Sequence, residues 1–247
     1  MTLPLTEMLV AQRTGRARIE ALPDALVPPD AATAYRVQTE TVAALGPVGA
    51  WKVQPYPDAG EPFAAPIPGS TVFADRAMLA AARFPAPAIE AEIALTLGRD
   101  LPARSAAYDV ADVAAAIGSL HLAIEVLSSR FAEPSGLPPL VAIADLQSNA
   151  AVIVGPARAA GPLPELGGQP MSMAVDGAEI GRVQGGSPTG TVLRSLAWLA
   201  NHAASRGLAL KRGDVIITGA RIGALPLRGE TVIVEADGFE PVSARFA

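Results

Sequence analysis

The segment Ile89-Glu90-Ala91-Glu92-Ile93-Ala94-Leu95 carries two carboxylates, two residues apart, inside an otherwise apolar run. On a strand, successive side chains point to opposite faces. Ile89, Ala91, Ile93 and Leu95 then share one face, and Glu90 and Glu92 share the other, about 7 Å apart along the chain. At an effective dielectric of about 20, their repulsion is about 2 kcal/mol. Side by side they stay ionised only with solvent, a cation or a metal to neutralise them. The same pattern also describes the wet polar face of an edge strand, with the small residues Ala94 and Thr96 as neighbours.

Two more groups are candidates for the same chemistry. Glu125 lies in His121-Leu122-Ala123-Ile124-Glu125-Val126-Leu127. As a strand, that run turns Glu125 away from Leu122, Ile124 and Val126 and puts His121 on the Glu125 face. As a helix, it gives an apolar stripe of Ile117, Leu120, Ile124 and Leu127, with Glu125 solvated at its flank. The alternation favours the strand. His121 is then a supporting or purely structural residue. Lys52 stands between Trp51 and Val53. It is either a surface lysine with an apolar stem or a cation that binds a substrate carboxylate or moves a proton, helped by a depressed pKa.

Composition narrows the options. The 247 residues include no cysteine and two histidines, His121 and His202. Disulfides, thiolate nucleophiles, zinc-thiolate sites and three-histidine sites are excluded. A metal must be held mainly by oxygen, which suits Mg²⁺ or Mn²⁺ better than Ca²⁺. A net charge of -5, with no basic tail, gives no footprint for nucleic acid or an anionic membrane. The N-terminal apolar stretch is short and broken by Pro4 and Glu7, unlike a secretory signal. No run approaches the roughly 18 apolar residues of a membrane span. The expected compartment is the cytoplasm.

These groups must be positioned by a chain whose texture changes once. Residues 1–46 read as a small N-terminal helical lobe: an opening helix with Leu5, Met8, Leu9 and Gln12 at helical spacing, then a helix capped by Asp30 and stopped by Gly46. From residue 47 onward, prolines and glycines punctuate short apolar runs, the pattern of strands and turns. Residues 47–247 read as a β-rich catalytic domain. Residues 109–119 are expected to be helical, as are about 189–206, after Ser187-Pro188 and before Gly207. NAAVIVG, DVIITGA, ETVIVEA and PVSARF read as strands. Helices and strands are segregated rather than alternating, so the expected class is α+β with a mixed, β-rich core.

At IEAEIALTLGRDLP and AIEVLSSR the sequence resembles the fumarylacetoacetate hydrolase superfamily, in the branch of the 2-keto-4-pentenoate hydratases and 4-oxalocrotonate decarboxylases. GAWKV, IADLQSNAAVIVG and SLAWLANHAASRGLALKRGDVIITGA are similar to further segments of that branch, and the resemblance runs from about Ala34 to Ala247. It implies a β-rich roll and an Mg²⁺ or Mn²⁺ ion held by Glu90, Glu92 and Glu125. It implies Lys52 as the catalytic cation, with Asn149 and Thr218 at the substrate. The implied reaction is that of a hydro-lyase in aromatic-compound catabolism, adding water to a small 2-hydroxy-dienoate or its 2-oxo-enoate tautomer. A 2-oxo acid decarboxylase, a C–C bond hydrolase and a non-catalytic partner subunit are the alternatives. The implied assembly is a homo-oligomer. Gln54, Leu146 and Ser187 depart from the branch, which usually has glycine, a polar residue and histidine there.

Overall fold

Asp30 caps its helix as the sequence predicts. Its carboxylate accepts from the Thr33 N–H at 2.7 Å, and Gly46, at φ 120°, ends the helix. The computed structural model describes residues 2–13, 15 and 17–247. Its helices are α1 (Pro4–Arg13), α2 (Ala31–Leu45), α3 (Val110–Ala114), α4 (Pro139–Ala144) and α5 (Thr189–Ser205). The first strands are β1 (Val48–Val53), β2 (Ala64–Pro68), β3 (Val72–Ala74), β4 (Ala77–Leu79), β5 (Ala88–Leu97), β6 (Ile117–Leu127) and β7 (Asn149–Val154). The remainder are β8 (Arg158–Ala159), β9 (Met171–Val175), β10 (Ala178–Val183), β11 (Val215–Ile217), β12 (Ile222–Pro226), β13 (Thr231–Ala236) and β14 (Val242–Phe246). The class is α+β, as expected.

The helix expected over 109–119 is shorter. Asp109 and Asp112 form a reciprocal cap that starts α3, but it ends at Ala114 and Ile117 already belongs to β6. Pairing of Ile117 with Leu97 and of Ser119 with Thr96 draws those residues into the sheet. Local helical tendency yields there to tertiary pairing.

One mixed sheet runs β2-β1-β11-β5-β6-β7-β3, with β8 added to β6 and β12 added to β5. A second runs β10-β9-β13-β14-β4. The main core lies where one face of the large sheet (Trp51, Ile89, Ile93, Leu122, Ile124) meets the small sheet (Met173, Val232, Val234) and α5 (Leu196, Leu199). A second core binds α1 and α2 to Phe131 and α4 (Val141, Ile143), so later residues complete the packing of the N-terminal helices.

The opposite face of the large sheet carries Ala50, Ala94, Ala123, Val152 and Ile217. By alternation it also carries Lys52, Glu90, Glu92 and Glu125. β5 is no edge strand. It pairs along its length with β6, and on its other side with β11 at Ala94–Thr96 and β12 at Ala88–Ala91. Among the described residues, no helix is long and apolar enough to cross a membrane.

Candidate metal centre

Register brings the acids together. Glu90 faces Glu125 directly across the β5–β6 ladder, and Glu92 follows two residues on. The run around Glu125 is therefore a strand, as its alternation suggested. One carboxylate oxygen from each of Glu90, Glu92 and Glu125 lies within 4.8 Å of the others. Glu92 and Glu125 are fully buried, and Glu90 is half-buried.

Lys52 reaches this cluster from β1. Its ammonium donates to both Glu125 oxygens, at 2.7 and 2.9 Å, and to the Gln147 carbonyl at 3.4 Å. With a side chain only 13% exposed, it is not a surface lysine. Nor is its pKa depressed, as one sequence reading held. Burial opposes its charge, but Glu125, with Glu92 and Glu90 behind it, prevails and holds the lysine above its usual value. Asn149 completes the shell, its Nδ2 donating to Glu125 Oε1 at 2.8 Å.

β11 and β12 are one strand path interrupted at Thr218–Arg221, opposite Glu92 and Ile93. Thr218 donates its hydroxyl to the Ile93 carbonyl at 2.8 Å, and the Gly219 N–H reaches the Glu92 carboxylate at 2.7 Å. The Arg221 N–H rejoins the ladder at the Ala91 carbonyl. The break thus converts a ladder donor into a carboxylate ligand.

Three carboxylates face one ammonium, with the Arg221 guanidinium in electrostatic reach of Glu92, so full ionisation leaves the cluster net negative. The acids respond accordingly. Burial, then repulsion from Glu125, pushes Glu90 up to about 7. Burial and the same neighbour push Glu92 well above the carboxylate range, against the Gly219 hydrogen bond. A divalent cation would balance the excess. Asn149 Oδ1, on the amide that donates to Glu125, is buried without a hydrogen-bond partner among the described residues, and so is Gln147 Nε2 in the neighbouring loop. The oxygen donor set, the charge deficit and the free Asn149 Oδ1 fit an Mg²⁺ or Mn²⁺ ion.

The comparisons agree. The family described as fumarylacetoacetate (FAA) hydrolase C-terminal matches residues 33–247. The chain belongs to the fumarylacetoacetate hydrolase family. It is 32% identical over 191 residues to a 2-keto-4-pentenoate hydratase of Burkholderia vietnamiensis, covering 77% of this chain and 70% of that one. It is 32% identical to 2-keto-4-pentenoate hydratase 1 of Dechloromonas aromatica, covering 71% and 68%. The solved structure of 4-oxalocrotonate decarboxylase from Pseudomonas putida G7, complexed with magnesium and adipate, superposes with a TM-score of 0.85 at 25% identity. It covers 100% of this chain and 97% of that one.

Several site-building residues of this family member escaped the sequence reading. Arg130 pairs with Asp145 through two hydrogen bonds, at 2.6 and 3.0 Å, and braces the loop that carries Gln147 and Asn149. Asp145, a carboxylate in the apolar run from Leu140 to Leu146, carried the same signal as Glu90. Arg221 lies beside Glu92 and donates to the Leu166 and Ser187 carbonyls, so the departure at Ser187 contributes a backbone oxygen. Leu146 is fully buried. Gln54 is exposed and pairs with Phe63 through its backbone. His121 is structural: its ring contacts the Gly155 carbonyl and the Thr96 and Ser119 hydroxyls, tying β5 to β6.

Proposed function

We propose that this chain is a divalent-metal-dependent hydro-lyase that adds water to a small 2-hydroxy-dienoate or its 2-oxo-enoate tautomer. The observation that carries this reading is the convergence of Glu90, Glu92 and Glu125 on one face, with Lys52 inside the cluster. The hydratase relatives supply the substrate class.

Glu90, Glu92 and Glu125 would hold the metal. When bound, it supplies Lewis-acid polarisation of the substrate's C2 oxygen. The chain's own groups do the rest. Lys52 is charged, and the substrate carboxylate competes with Glu125 for its three donors. The Thr218 hydroxyl, spent as a donor on Ile93, retains lone pairs that accept from the substrate. Asn149 Oδ1 and Gln147 Nε2 offer one acceptor and one donor to orient the substrate and the incoming water. Burial of Glu92 and Glu125 keeps bulk water from the cluster, which strengthens each of these contacts.

A decarboxylase reading of the same site is favoured by the full-length superposition on 4-oxalocrotonate decarboxylase. There the same residues would bind the 2-oxo acid, and CO₂ would leave instead of water adding. Parallel assays with 2-hydroxypenta-2,4-dienoate and 2-oxo-3-hexenedioate, with Mn²⁺, separate the two. Loss of dienoate absorbance with formation of a 4-hydroxy-2-oxo acid is expected. CO₂ release from the dioate without hydration of the dienoate would move the assignment to the decarboxylase. No turnover of either would refute both. We further propose that it works in the cytoplasm as a homo-oligomer.

A further inference from the structure

α1 ends at Arg13, whose guanidinium turns inward with a side chain only 8% exposed. Its Nη2 donates to the carbonyls of Asp145 at 3.3 Å and Asn149 at 3.1 Å. Arg130 donates to the same two carbonyls as well as holding the Asp145 carboxylate. Asp145 is therefore matched to Arg130, and Arg13 lies 3.7 Å from it as the second cation. Two buried guanidiniums share one carboxylate, leaving one positive charge uncompensated. Arg13 Nε is buried without a partner among the described residues. A buried donor left unmet on a charged group is destabilising.

A cavity of about 520 Å³ opens against this pair. Arg13, Arg18, Arg83 and Arg130 line it, with the hydroxyl residues Ser70 and Ser129, and no Asp or Glu is among its described lining residues. None of the metal-centre residues lines it either. Its size suits a small organic molecule. Four guanidiniums thus line one open cavity, two of them buried at its inner wall. Burial, and then Arg130, lowers the Arg13 pKa to about 9, with Asp145 offsetting only part of this, so the arginine remains charged at neutral pH. An oxyanion in the cavity would answer the excess positive charge, because a guanidinium presents parallel N–H groups to carboxylate or phosphate oxygens.

We propose that this cavity is a second binding site, distinct from the metal centre, that takes a small carboxylate- or phosphate-bearing anion on the Arg13–Arg130 pair. The site also touches the chemistry indirectly. The Asn149 carbonyl is held by both arginines, and its side chain holds Glu125.

The test is calorimetric titration of the full chain, treated with EDTA, with inorganic phosphate and separately with succinate, at ionic strength matched by NaCl. Saturable binding of one or both anions, about one per chain, is expected, and the stronger of the two identifies the source. Arg18→Gln/Arg83→Gln, at the mouth of the cavity, should weaken it about tenfold. Arg13→Lys keeps the charge but removes the planar guanidinium and should weaken it as well. Glu92→Gln, at the metal centre, should leave it unchanged. Absence of saturable binding by either anion would overturn the proposal. So would binding that survives both arginine variants, or that disappears in Glu92→Gln.

Discussion

Glu125 accepts from Lys52 and Asn149 and lies across from Glu90 and Glu92 on β5, so the charge states of Glu90 and Glu92 depend on it. Lys52→Met removes the single ammonium from this cluster. The metal-free protein should lose about 3 kcal/mol, because Glu125 is left buried and unpaired. Mn²⁺ should restore that stability, while turnover falls about 100-fold through loss of the group that meets the substrate carboxylate. Chemical denaturation with and without Mn²⁺, together with steady-state rates, checks both; an unchanged rate would remove Lys52 from the reaction. The pH dependence follows from Glu90, raised from 4.5 to about 7. Between those values the folded chain keeps a proton that the unfolded chain has released. Metal-free stability should therefore fall as pH rises through that window, and Glu92, whose pKa is also raised, adds to the fall. Mn²⁺ competes with the same proton, so its affinity should rise over the same range. Calorimetry from about pH 5 to about pH 8 reads both trends, and metal affinity falling with rising pH would contradict the account. The Glu90–Glu92 pair was legible in the sequence because alternation is local. The partner of Lys52, 73 residues away, was not, and so its pKa direction was misread.

At the scale of elements, two irregularities shape the site. Leu146, Gln147 and Ser148 are consecutive non-glycine residues with φ of 54°, 51° and 60°. Each costs about 1–3 kcal/mol unless its surroundings enforce it. The Arg130–Asp145 pair and burial of Leu146 enforce it here, and the Gln147 carbonyl turns to Lys52 as a result. The second irregularity is the β11–β12 break. Gly219 has φ 101°, and a Cβ there would lie 2.6 Å from Pro55 Cδ. Gly219→Ala should cost about 1–3 kcal/mol and weaken metal binding, because the N–H that holds Glu92 must move. A thermal melt and an Mn²⁺ titration of this variant would show it; wild-type values in both would mean that the break does not position Glu92. Helix ends and strand runs were readable, since caps, glycines and period-two alternation are written within a few residues. These irregularities were not. TGA read as a strand end, and ADLQSN gave only a resemblance and no geometry, because partners far along the chain impose it.

The whole molecule places the cluster on the small-residue face of a mixed sheet, with a hydrophobic core on the other face. The class was legible from the segregation of helices and strands. The parallel pairing of β1 with β11, Ala50 with Val215, was not, because nothing local encodes a partner so distant. β4 ends the small sheet, and Met78 on it is 75% exposed. An open edge with a large apolar side chain invites association. Light scattering should therefore give a mass of at least two chains; a mass near 25.2 kDa would contradict oligomerisation. The central claim, that three glutamates hold a metal, is tested most directly by Glu92→Gln. The substitution is isosteric and keeps an acceptor for the Gly219 N–H. If the carboxylates only repel, removing one charge leaves every other property intact. If they bind metal, a ligand is lost, and a ligand that favours the folded state stabilises it by mass action. Thermal melts and calorimetric titration with Mn²⁺ should show a metal-free Glu92→Gln protein as stable as wild type or more so. Its metal affinity should be about tenfold weaker or worse, and most of the metal-induced rise in Tm should be gone. A Glu92→Gln protein with wild-type Mn²⁺ affinity and the full thermal gain would contradict the account.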